Sequence, residues 1–346
     1  MKYNSLLCLV LLIGCTAEVS RPSVAHVHDI DTTSISIAAQ LPKNNISAYS
    51  PYGLRNVTCA LSPIIDAAAL NERSPFRQCV TVYGAQNDSA VWVSASIGFP
   101  PELQNAVRMN ASLFVSFEPL GDQIEKWIDQ HGGDGSVLHS NPNFAAVNIM
   151  NYSASWVEPF PSRETKRATF FGKHSRSAIQ FIVGQPLALL EHRGMCDRVR
   201  IPLVDKGSVF ITSLEGQSQN TALSCLFDNM GSQRSTTYVQ VAIPKLNSSS
   251  VIDLAMPLSH TILRPLFQPT DQSFRSLRSG LALNELRQSL NIHLDEAGVG
   301  VKATTIADRL LGFKVISRKI KFDHPFLVRI SSASGIDLAI ICVSDL

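Results

Sequence analysis

The pattern of apolar and polar positions predicts short helices early in the chain and many strands after them. Residues 91–99, VWVSASIGF, run apolar or alternate, as a buried strand does. In residues 121–133, Ile124, Trp127 and Ile128 fall on one face of a short amphipathic helix that ends at two glycines. The further strand candidates, in chain order, are FAAVNIMNYSASW, RSAIQFIVG, VRIPLV, SVFITSL, TTYVQVAIPKL and IDLAM. The pattern therefore favours a mixed α+β fold.

Three C-terminal stretches extend this pattern. Residues 324–343, HPFLVRISSASGIDLAIICV, have two apolar arms about Ser331–Gly335 and predict a hairpin. The basic tract SRKIK at 317–321 alternates, which indicates the solvent face of an edge strand. Residues 290–305, LNIHLDEAGVGVKATT, alternate like a strand at first and then become small and exposable. The second half of that stretch is strand-like but has no strand partner of its own.

The N-terminal residues predict a secreted protein. Residues 1–17 are typical of a signal peptide, because Lys2 precedes the apolar run LLCLVLLIG and small residues follow at Cys15 to Ala17. The apolar run is too short to span a membrane, so we expect an extracellular protein without a membrane span. The stretch LIGC that ends at Cys15 also resembles a bacterial lipobox, in which Cys15 would carry a lipid. Residues 18–44 are polar and irregular and predict a flexible lead.

Six N-x-Ser/Thr sequons favour the secretory route over lipid attachment. Each is a candidate glycosylation site, and they begin at Asn45, Asn56, Asn87, Asn110, Asn151 and Asn247.

Five cysteines remain after the leader, at positions 59, 79, 196, 225 and 342. Because five is odd, at least one is free or pairs between molecules. We expect mostly buried free cysteines with one disulfide, either Cys59–Cys79 or Cys196–Cys225.

Composition and motifs argue against several classes of function. Of the 346 residues, 45% are hydrophobic and 17% charged, which indicates a chain with a large core. A net charge of +2 gives no ground for a nucleic acid partner. No nucleophile elbow, HExxH helix, phosphate loop or dinucleotide fingerprint is present. His192 lies beside Glu191 and Cys196 but lacks a fourth metal ligand. We therefore expect no catalytic residue, metal or cofactor, and no enzyme.

The C-terminal third resembles a known family. Residues 295–298, DEAG, then a long loop and FDHPF at 322–326 resemble the hinge, reactive loop and F-x-x-P-F strand of serpins. The stretch from Asn148 to Phe170 is similar to the serpin segment N-x(7)-W-x-x-P-F-x(4)-T-x(4)-F. NISAYSPYGL at 45–54 and VAIPK at 241–245 resemble a serpin helix opening and strand. The resemblance covers residues 45–343.

The resemblance implies a fold and a domain organisation. It implies one serpin domain over residues 45–346, with a large mixed sheet, two smaller sheets and about eight helices, some shortened. It places an exposed reactive-centre loop at about residues 297–318. The chain lacks much of the family's third and fourth helices, a trimming that also occurs in virus-encoded serpins. The protein is expected to be a monomer, although an exposed strand donor also permits loop-sheet polymers.

The resemblance also implies a mechanism. In serpins a protease attacks the scissile bond of the reactive loop and becomes acylated by it, and the loop then inserts into the large sheet as a new strand and traps the enzyme. Because a strand has a period of two, alternate residues after the hinge at Glu296 and Gly298 must turn inward. The inward residues of this chain are small or apolar, namely Val299, Val301, Ala303 and Thr305. Ala297 and the pair Val301-Lys302 depart from the family pattern.

Further positions follow from the same resemblance. It assigns Ser50, Asn148, Trp156, Thr165 and Gln288 to the shutter and breach, the two regions that part when the sheet opens. Gly53 stands where a second Ser is usual, and Gln288 where a His is usual. Ser50, which precedes Pro51, is also read as a plain helix N-cap.

The position of the scissile bond stays open. Counting from the hinge gives Gly312-Phe313, and counting back from Phe322 gives Lys314-Val315. A shift of the register by one residue, to Leu311-Gly312 or Phe313-Lys314, also fits. Because the candidates include apolar residues and Lys314, the expected partner is an extracellular chymotrypsin-like or trypsin-like serine protease. The alternative function is a non-inhibitory serpin fold that acts as a carrier, a chaperone or a host-interaction decoy.

Overall fold

A computed structural model describes most of the chain. The described residues are 24–41, 45–66, 74–133, 142–193, 195–228, 235–268, 273–274, 276–278, 280–300 and 318–346. Within them, six α-helices are α1 Val24–Gln40, α2 Pro51–Leu61, α3 Pro101–Arg108, α4 Gly121–Gln130, α5 Gln219–Phe227 and α6 Ala255–Leu258. This is fewer than the eight expected. None of the helices in this part of the chain is long and apolar enough to cross a membrane.

A mixed sheet of seven strands, here called the front sheet, holds the candidate site. Its strands are β2 Ala85–Ser94, β3 Ser112–Ser116, β4 Phe144–Tyr152, β5 Ala154–Ser155, β12 Leu246–Asp253, β13 Glu285–Leu294 and β14 Gly298–Val299. The spatial order is β3-β2-β4-β13-β14-β5, with β12 on the other edge of β13. The pairs β2–β3 and β4–β13 are parallel, whereas β2–β4 and β12–β13 are antiparallel. The expected large mixed sheet is therefore confirmed.

The remaining ten strands form the back sheet. They are β1 Ile46–Tyr49, β6 Lys166–Phe171, β7 Arg176–Gly184, β8 Leu189–Arg193, β9 Cys196–Pro202, β10 Ser208–Ser213, β11 Ser235–Pro244, β15 Arg318–Lys321, β16 Phe326–Ser331 and β17 Asp337–Val343. One half of β11 pairs with β8 and the other half with β7. The two smaller sheets expected from the resemblance thus share this strand. The predicted C-terminal hairpin is β16 and β17.

Helices cover both faces of the front sheet. On one face, α2 is buried along its whole length and contacts β2, β4 and β17. Its start is as predicted, since the Ser50 hydroxyl accepts a hydrogen bond from the Gly53 amide at 2.9 Å and Pro51 occupies the first turn. On the other face, the amphipathic α4 packs Trp127 edge-on against Trp92 of β2. The front sheet is therefore a layer between two apolar clusters.

Several sequence expectations are corrected here. Residues 24–40 of the expected flexible lead form α1, whose Ile37 and Ala38 are fully buried. The helix packs on α5, and that tertiary contact outweighs the weak helix propensity of its Ser, Thr and Ile residues. The candidate strand IDLAM ends at Asp253, whose Oδ1 accepts a hydrogen bond from the Ala255 amide at the start of α6.

The cysteines also differ from expectation. Cys59–Cys79 and Cys196–Cys225 are both disulfides, where one was expected, and Cys342 is buried and lies outside any disulfide. The first disulfide joins α2 to the segment before β2, and the second joins β9 to α5.

Candidate functional site

The candidate site is a gap that opens between two parallel strands of the front sheet. Residues 145–150 of β4 pair with residues 285–290 of β13. Beyond this point the two strands separate, and the short strand β14 lies between β13 and β5. Val299 of β14 pairs antiparallel with Leu294 on one side and with Ala154 on the other. The sheet is thus closed at one end and already parted by two residues at the other.

A tight turn brings the chain from β13 back into the gap. The Asp295 carboxylate accepts hydrogen bonds from the amides of Ala297 at 2.8 Å and Gly298 at 3.2 Å. Partial burial raises the pKa of Asp295, but these bonds and the one with His293 outweigh it, so the pKa lies below its ordinary value. The direction of β14 is therefore opposite to that of β13, as an inserting strand requires.

Two glycines let the hinge pass close to β4 and β5. A Cβ on Gly298 would lie 2.1 Å from the Ala154 carbonyl oxygen. A Cβ on Gly300 would lie 1.8 Å from the Tyr152 carbonyl oxygen, and the φ of Gly300 is +108°. The Gly300 amide donates to the His293 carbonyl at 2.7 Å, which holds the hinge to β13. Only glycine fits either position without a shift of the backbone.

The first inward residue of the predicted hinge is buried in the gap. Val299 is 3% exposed and belongs to the same apolar cluster as Met150 and Leu290. A cavity of about 20 Å³ lies beside it, lined mainly by apolar side chains, among them Ile330 and Ile341. This volume holds about one water molecule. The inward orientation of Val299 agrees with the predicted period of two.

A second group of contacts anchors the hinge at its start, in the region that the resemblance calls the breach. Trp156 is fully buried, and its Nε1 donates to the Asp295 carbonyl at 2.9 Å. The amides of Trp156 and Phe160 donate to the carbonyls of Ala297 and Glu296, at 3.1 and 2.9 Å. The hinge is therefore bound through its backbone to the segment that follows β5.

The Glu296 carboxylate is held by two side chains. Thr165 Oγ1 donates to Glu296 Oε1 at 2.5 Å, and Lys245 Nζ lies 2.8 Å from the same oxygen. Partial burial raises the pKa of Glu296, but the bonds from Lys245 and Thr165 outweigh it and leave the pKa below its ordinary value. Glu296 is consequently a charged anchor for the hinge at neutral pH.

The predicted shutter residues meet at the closed end of the gap. Gln288 Nε2 donates to the Ser50 carbonyl and to Asn148 Oδ1, both at 3.0 Å, and its Oε1 accepts from the Ser50 amide. Asn148 Nδ2 donates to Asn87 Oδ1 at 2.8 Å and Ser89 Oγ at 3.1 Å. Ser50 takes both predicted roles, since its hydroxyl caps α2 while its backbone binds Gln288. This buried polar network ties α2, β2, β4 and β13 together.

Sequence reasoning missed two residues of this site. Lys245 belongs to the VAIPK motif, but nothing in the sequence connects that motif with Glu296. Tyr152 ends β4, and its hydroxyl donates to Asp205 Oδ2 at 2.6 Å. Burial and this hydrogen bond raise the pKa of Tyr152. The contact fixes the end of β4 beside Gly300.

Other predicted residues lie apart from the site or outside the described residues. The inward residues Val301, Ala303 and Thr305 and the reactive-bond candidates Leu311, Gly312, Phe313 and Lys314 fall outside the described ranges. The His192 group is not a metal site, because Cys196 is in a disulfide and Glu191 pairs with Arg198.

The sequons differ in how accessible the structure leaves them. Asn45, Asn110 and Asn247 are exposed, and Asn151 is half-buried. Asn56 is buried and accepts a hydrogen bond from the Val80 amide.

The family to which the chain belongs follows from comparison. The family model described as "Serpin (serine protease inhibitor)" matches residues 91–339, well over half of the chain. The chain therefore belongs to the serpin family. The superinfection exclusion protein of vaccinia virus (strain Copenhagen) is 21% identical over 221 residues, covering 60% of this chain and 58% of that protein. The corticosteroid-binding globulin of Pongo abelii is 25% identical over 207 residues, covering 56% of this chain and 50% of that protein. The matched part thus spans little more than half the length of these curated relatives.

Solved serpin structures share the fold. Serpin48 of the insect Tenebrio molitor superposes with a TM-score of 0.73 at 17% identity, covering 93% of this chain and 98% of that one. Human thyroxine-binding globulin superposes with a TM-score of 0.72 at 15% identity, covering 92% of this chain and 99% of that one. These similarities confirm the expected serpin fold.

Proposed function

We propose that this protein is a secreted inhibitor of an extracellular serine protease that acts by cleavage and insertion of its reactive loop. The observation that carries the proposal is the position of Val299. It lies in the gap between β4 and β13 with its side chain buried, in the orientation that the first residue of an inserting strand must have. Below it, the paired strands β4 and β13 and the network around Gln288 close the gap.

Insertion supplies the driving force in this proposal. Each inward apolar residue that enters the sheet leaves water, and burying one Val side chain contributes about 1.5–3 kcal/mol. The new strand also gains backbone hydrogen bonds on both edges. An intact loop cannot reach this state, so the native fold would persist as a kinetic trap. Cleavage would release the loop and allow Val301, Ala303 and Thr305 to follow Val299.

The departures in the hinge are compatible with this mechanism. Val301 is β-branched, and such residues pack well in a strand. Lys302 would face outward, where its amine stays in water while its stem lies along the sheet.

The proposal is tested with the full chain and a panel of trypsin-like and chymotrypsin-like proteases. We expect an SDS-resistant complex with one of them, and sequencing of the new N-terminus would locate the scissile bond among residues 311–315. Cleavage within the loop by every protease, without a complex, would contradict inhibition.

The second candidate function is a binding role without inhibition, and two of the similar proteins support it. One curated relative is a corticosteroid-binding globulin, and one structural neighbour is thyroxine-binding globulin. In that case the loop would be cut as an ordinary substrate, and the same panel would yield cleaved product only.

A further inference from the structure

The strand β3 leaves one edge of the front sheet open. It pairs with β2 on one side, and no strand in the described part of the chain pairs with its other side. Val115 and Phe117, at the end of this strand, are 38% and 93% exposed, and Met109 before it is 79% exposed. The nine residues from Met109 to Phe117 contain no charge and no proline. An uncharged apolar edge of this kind pairs readily with another strand.

Two outer strands of the back sheet, β15 and β6, carry charges that β3 lacks. β15 carries Arg318, Lys319 and Lys321, and β6 begins with Lys166 and Arg167, all of them exposed. Charges at these places disfavour pairing with another chain. The edge of β3 has no such protection from its own side chains.

A sequon lies directly beside this unprotected edge. Asn110-Ala111-Ser112 spans the turn between α3 and β3, and Ser112 is the first residue of the strand. Asn110 and Ser112 are both exposed. The Asn110 side-chain amide has no hydrogen-bond partner among the described residues, whereas Asn56 and Asn87 both use theirs inside the fold. Asn110 can therefore carry a bulky group at no cost to the folded structure.

We propose that Asn110 carries an N-linked glycan and that this glycan covers the open edge of β3. The donor would be a lipid-linked oligosaccharide diphosphate. Asn110 Nδ2 forms a bond to C1 of the first sugar, the C1–O bond to the lipid diphosphate breaks, and the proton from Nδ2 passes to the transferase. The glycan is bulky and solubilising, and it is anchored two residues before a strand that is about 17 Å long at about 3.3 Å per residue.

The glycan takes over the role that edge charges play elsewhere. Without it, two copies of the chain could pair β3 against β3 about a twofold axis, which is the closed arrangement of a symmetric dimer. The inference rests on the predicted secretory route but does not depend on protease inhibition.

The first test locates the glycan. The full chain, with its own leader, is expressed in a secreting animal cell line, and the secreted protein is treated with peptide N-glycosidase in heavy-oxygen water. We expect mass spectrometry to show the label at Asn110. An unlabelled Asn110 in the secreted protein, or a protein that is never secreted, would overturn the proposal.

The second test measures the effect of the glycan on association. Asn110→Gln and Ser112→Ala both remove the sequon by different substitutions, and Asn247→Gln removes an exposed sequon on β12 as the matched control. Sedimentation velocity should show dimers for the first two variants only, with a dimer dissociation constant lower than that of the native protein by about tenfold or more. Adding Phe117→Lys to Asn110→Gln should restore the monomer, because a charge disfavours edge pairing.

Two results would refute the shielding role even with a glycan present. One is that both sequon variants stay monomeric at the highest concentration measured. The other is that Asn247→Gln associates as strongly as they do. An unchanged thermal midpoint shows that a variant is folded. If Asn110→Gln does not fold, Ser112→Ala takes its place in the comparison.

Discussion

Gly53 and Gln288 are neighbours at the closed end of the gap, and the Gln288 side chain lies where a side chain on residue 53 would be. A Cβ on Gly53 would lie 2.0 Å from Asn148 Oδ1 and 2.6 Å from Gln288 Nε2. The sequence shows two separate departures from the serpin pattern, and the structure shows that they compensate each other. The longer Gln288 side chain reaches both Ser50 and Asn148 because residue 53 has no side chain.

This arrangement makes Gly53→Ser a destabilising change, although Ser is the usual family residue. The added atoms overpack the network, which costs about 1–3 kcal/mol. We expect the thermal midpoint to fall by a few degrees, at about 1–2 °C per kcal/mol for a chain of 346 residues. Gly53→Ser combined with Gln288→Ala should lose less than the sum of the two single changes, since the residues share partners. Additive losses would show that the two positions are independent.

The Glu296 anchor predicts a dependence on pH. Its pKa is lower in the folded protein than in the unfolded chain, so the anchor stabilises the fold fully above the unfolded pKa of about 4.3. That contribution is lost as the pH falls through the lower folded value. Lys245→Met removes the ion pair and keeps the length of the side chain.

The variant should therefore have a lower thermal midpoint than the native protein at pH 7, and the difference should narrow as the pH falls below about 4. Glu296→Gln with Lys245→Met serves as the control, because the glutamine amide has no charge to titrate. If the difference in thermal midpoint between Lys245→Met and the native protein is constant from pH 7 to pH 3, the charge of Glu296 is not its cause.

At the scale of elements, the helices and strands that could be predicted are those whose pattern lies within a few neighbouring residues. The apolar face of α4, the hairpin of β16 and β17 and the inward side of β14 follow from periodicity within a few residues. By contrast, α1 depends on a distant partner, since Gln219 Nε2 of α5 donates to the Ala38 carbonyl near its end. The spacing of apolar and polar residues in 24–40 does not indicate such a contact.

In the candidate site, too, the residues with a local signal in the sequence could be predicted and those that depend on distant contacts could not. The shutter residues and the hinge could be placed from motifs, because their positions within strands fix their direction. The anchor role of Lys245 could not, since it arises from the meeting of the end of β11 with a turn 51 residues later in the sequence. Both disulfide pairings were expected as alternatives, but sequence spacing does not determine how many of them form.

The strand β14 gives a prediction for the hinge as an element. Val299→Glu would place an unpaired charge among Met150, Leu290 and the other apolar neighbours of Val299, which is strongly unfavourable. The hinge should then leave the gap, and the loop should be cut by the target protease without forming an SDS-resistant complex. Val299→Ala keeps an apolar inward residue and should still form the complex. Equal yields of complex from the two variants would show that Val299 does not have to enter the sheet.

At the scale of the whole molecule, the proposed mechanism requires the front sheet to admit one more strand between β4 and β13, which are paired in this structure. Separating these strands breaks the six paired positions between residues 145–150 and 285–290. An inserted strand replaces that single ladder by two, and its inward residues join the apolar cluster around Val299. On the proposed mechanism, the inserted form is the more stable one, and the intact loop keeps the molecule from reaching it.

Cleavage of the loop should accordingly raise the thermal midpoint by about ten degrees or more. Val299 is already buried in the intact protein, so the gain comes from burying Val301, Ala303 and Thr305 and from the added backbone hydrogen bonds, at about 0.5–1.5 kcal/mol each. For a chain of 346 residues each kcal/mol corresponds to about 1–2 °C. The measurement compares intact and cleaved protein by scanning calorimetry, with cleaved Val299→Glu as the control that should not shift. If the cleaved native protein melts at the same temperature as the intact one, the loop does not insert, and the binding role without inhibition is the one that the fold serves.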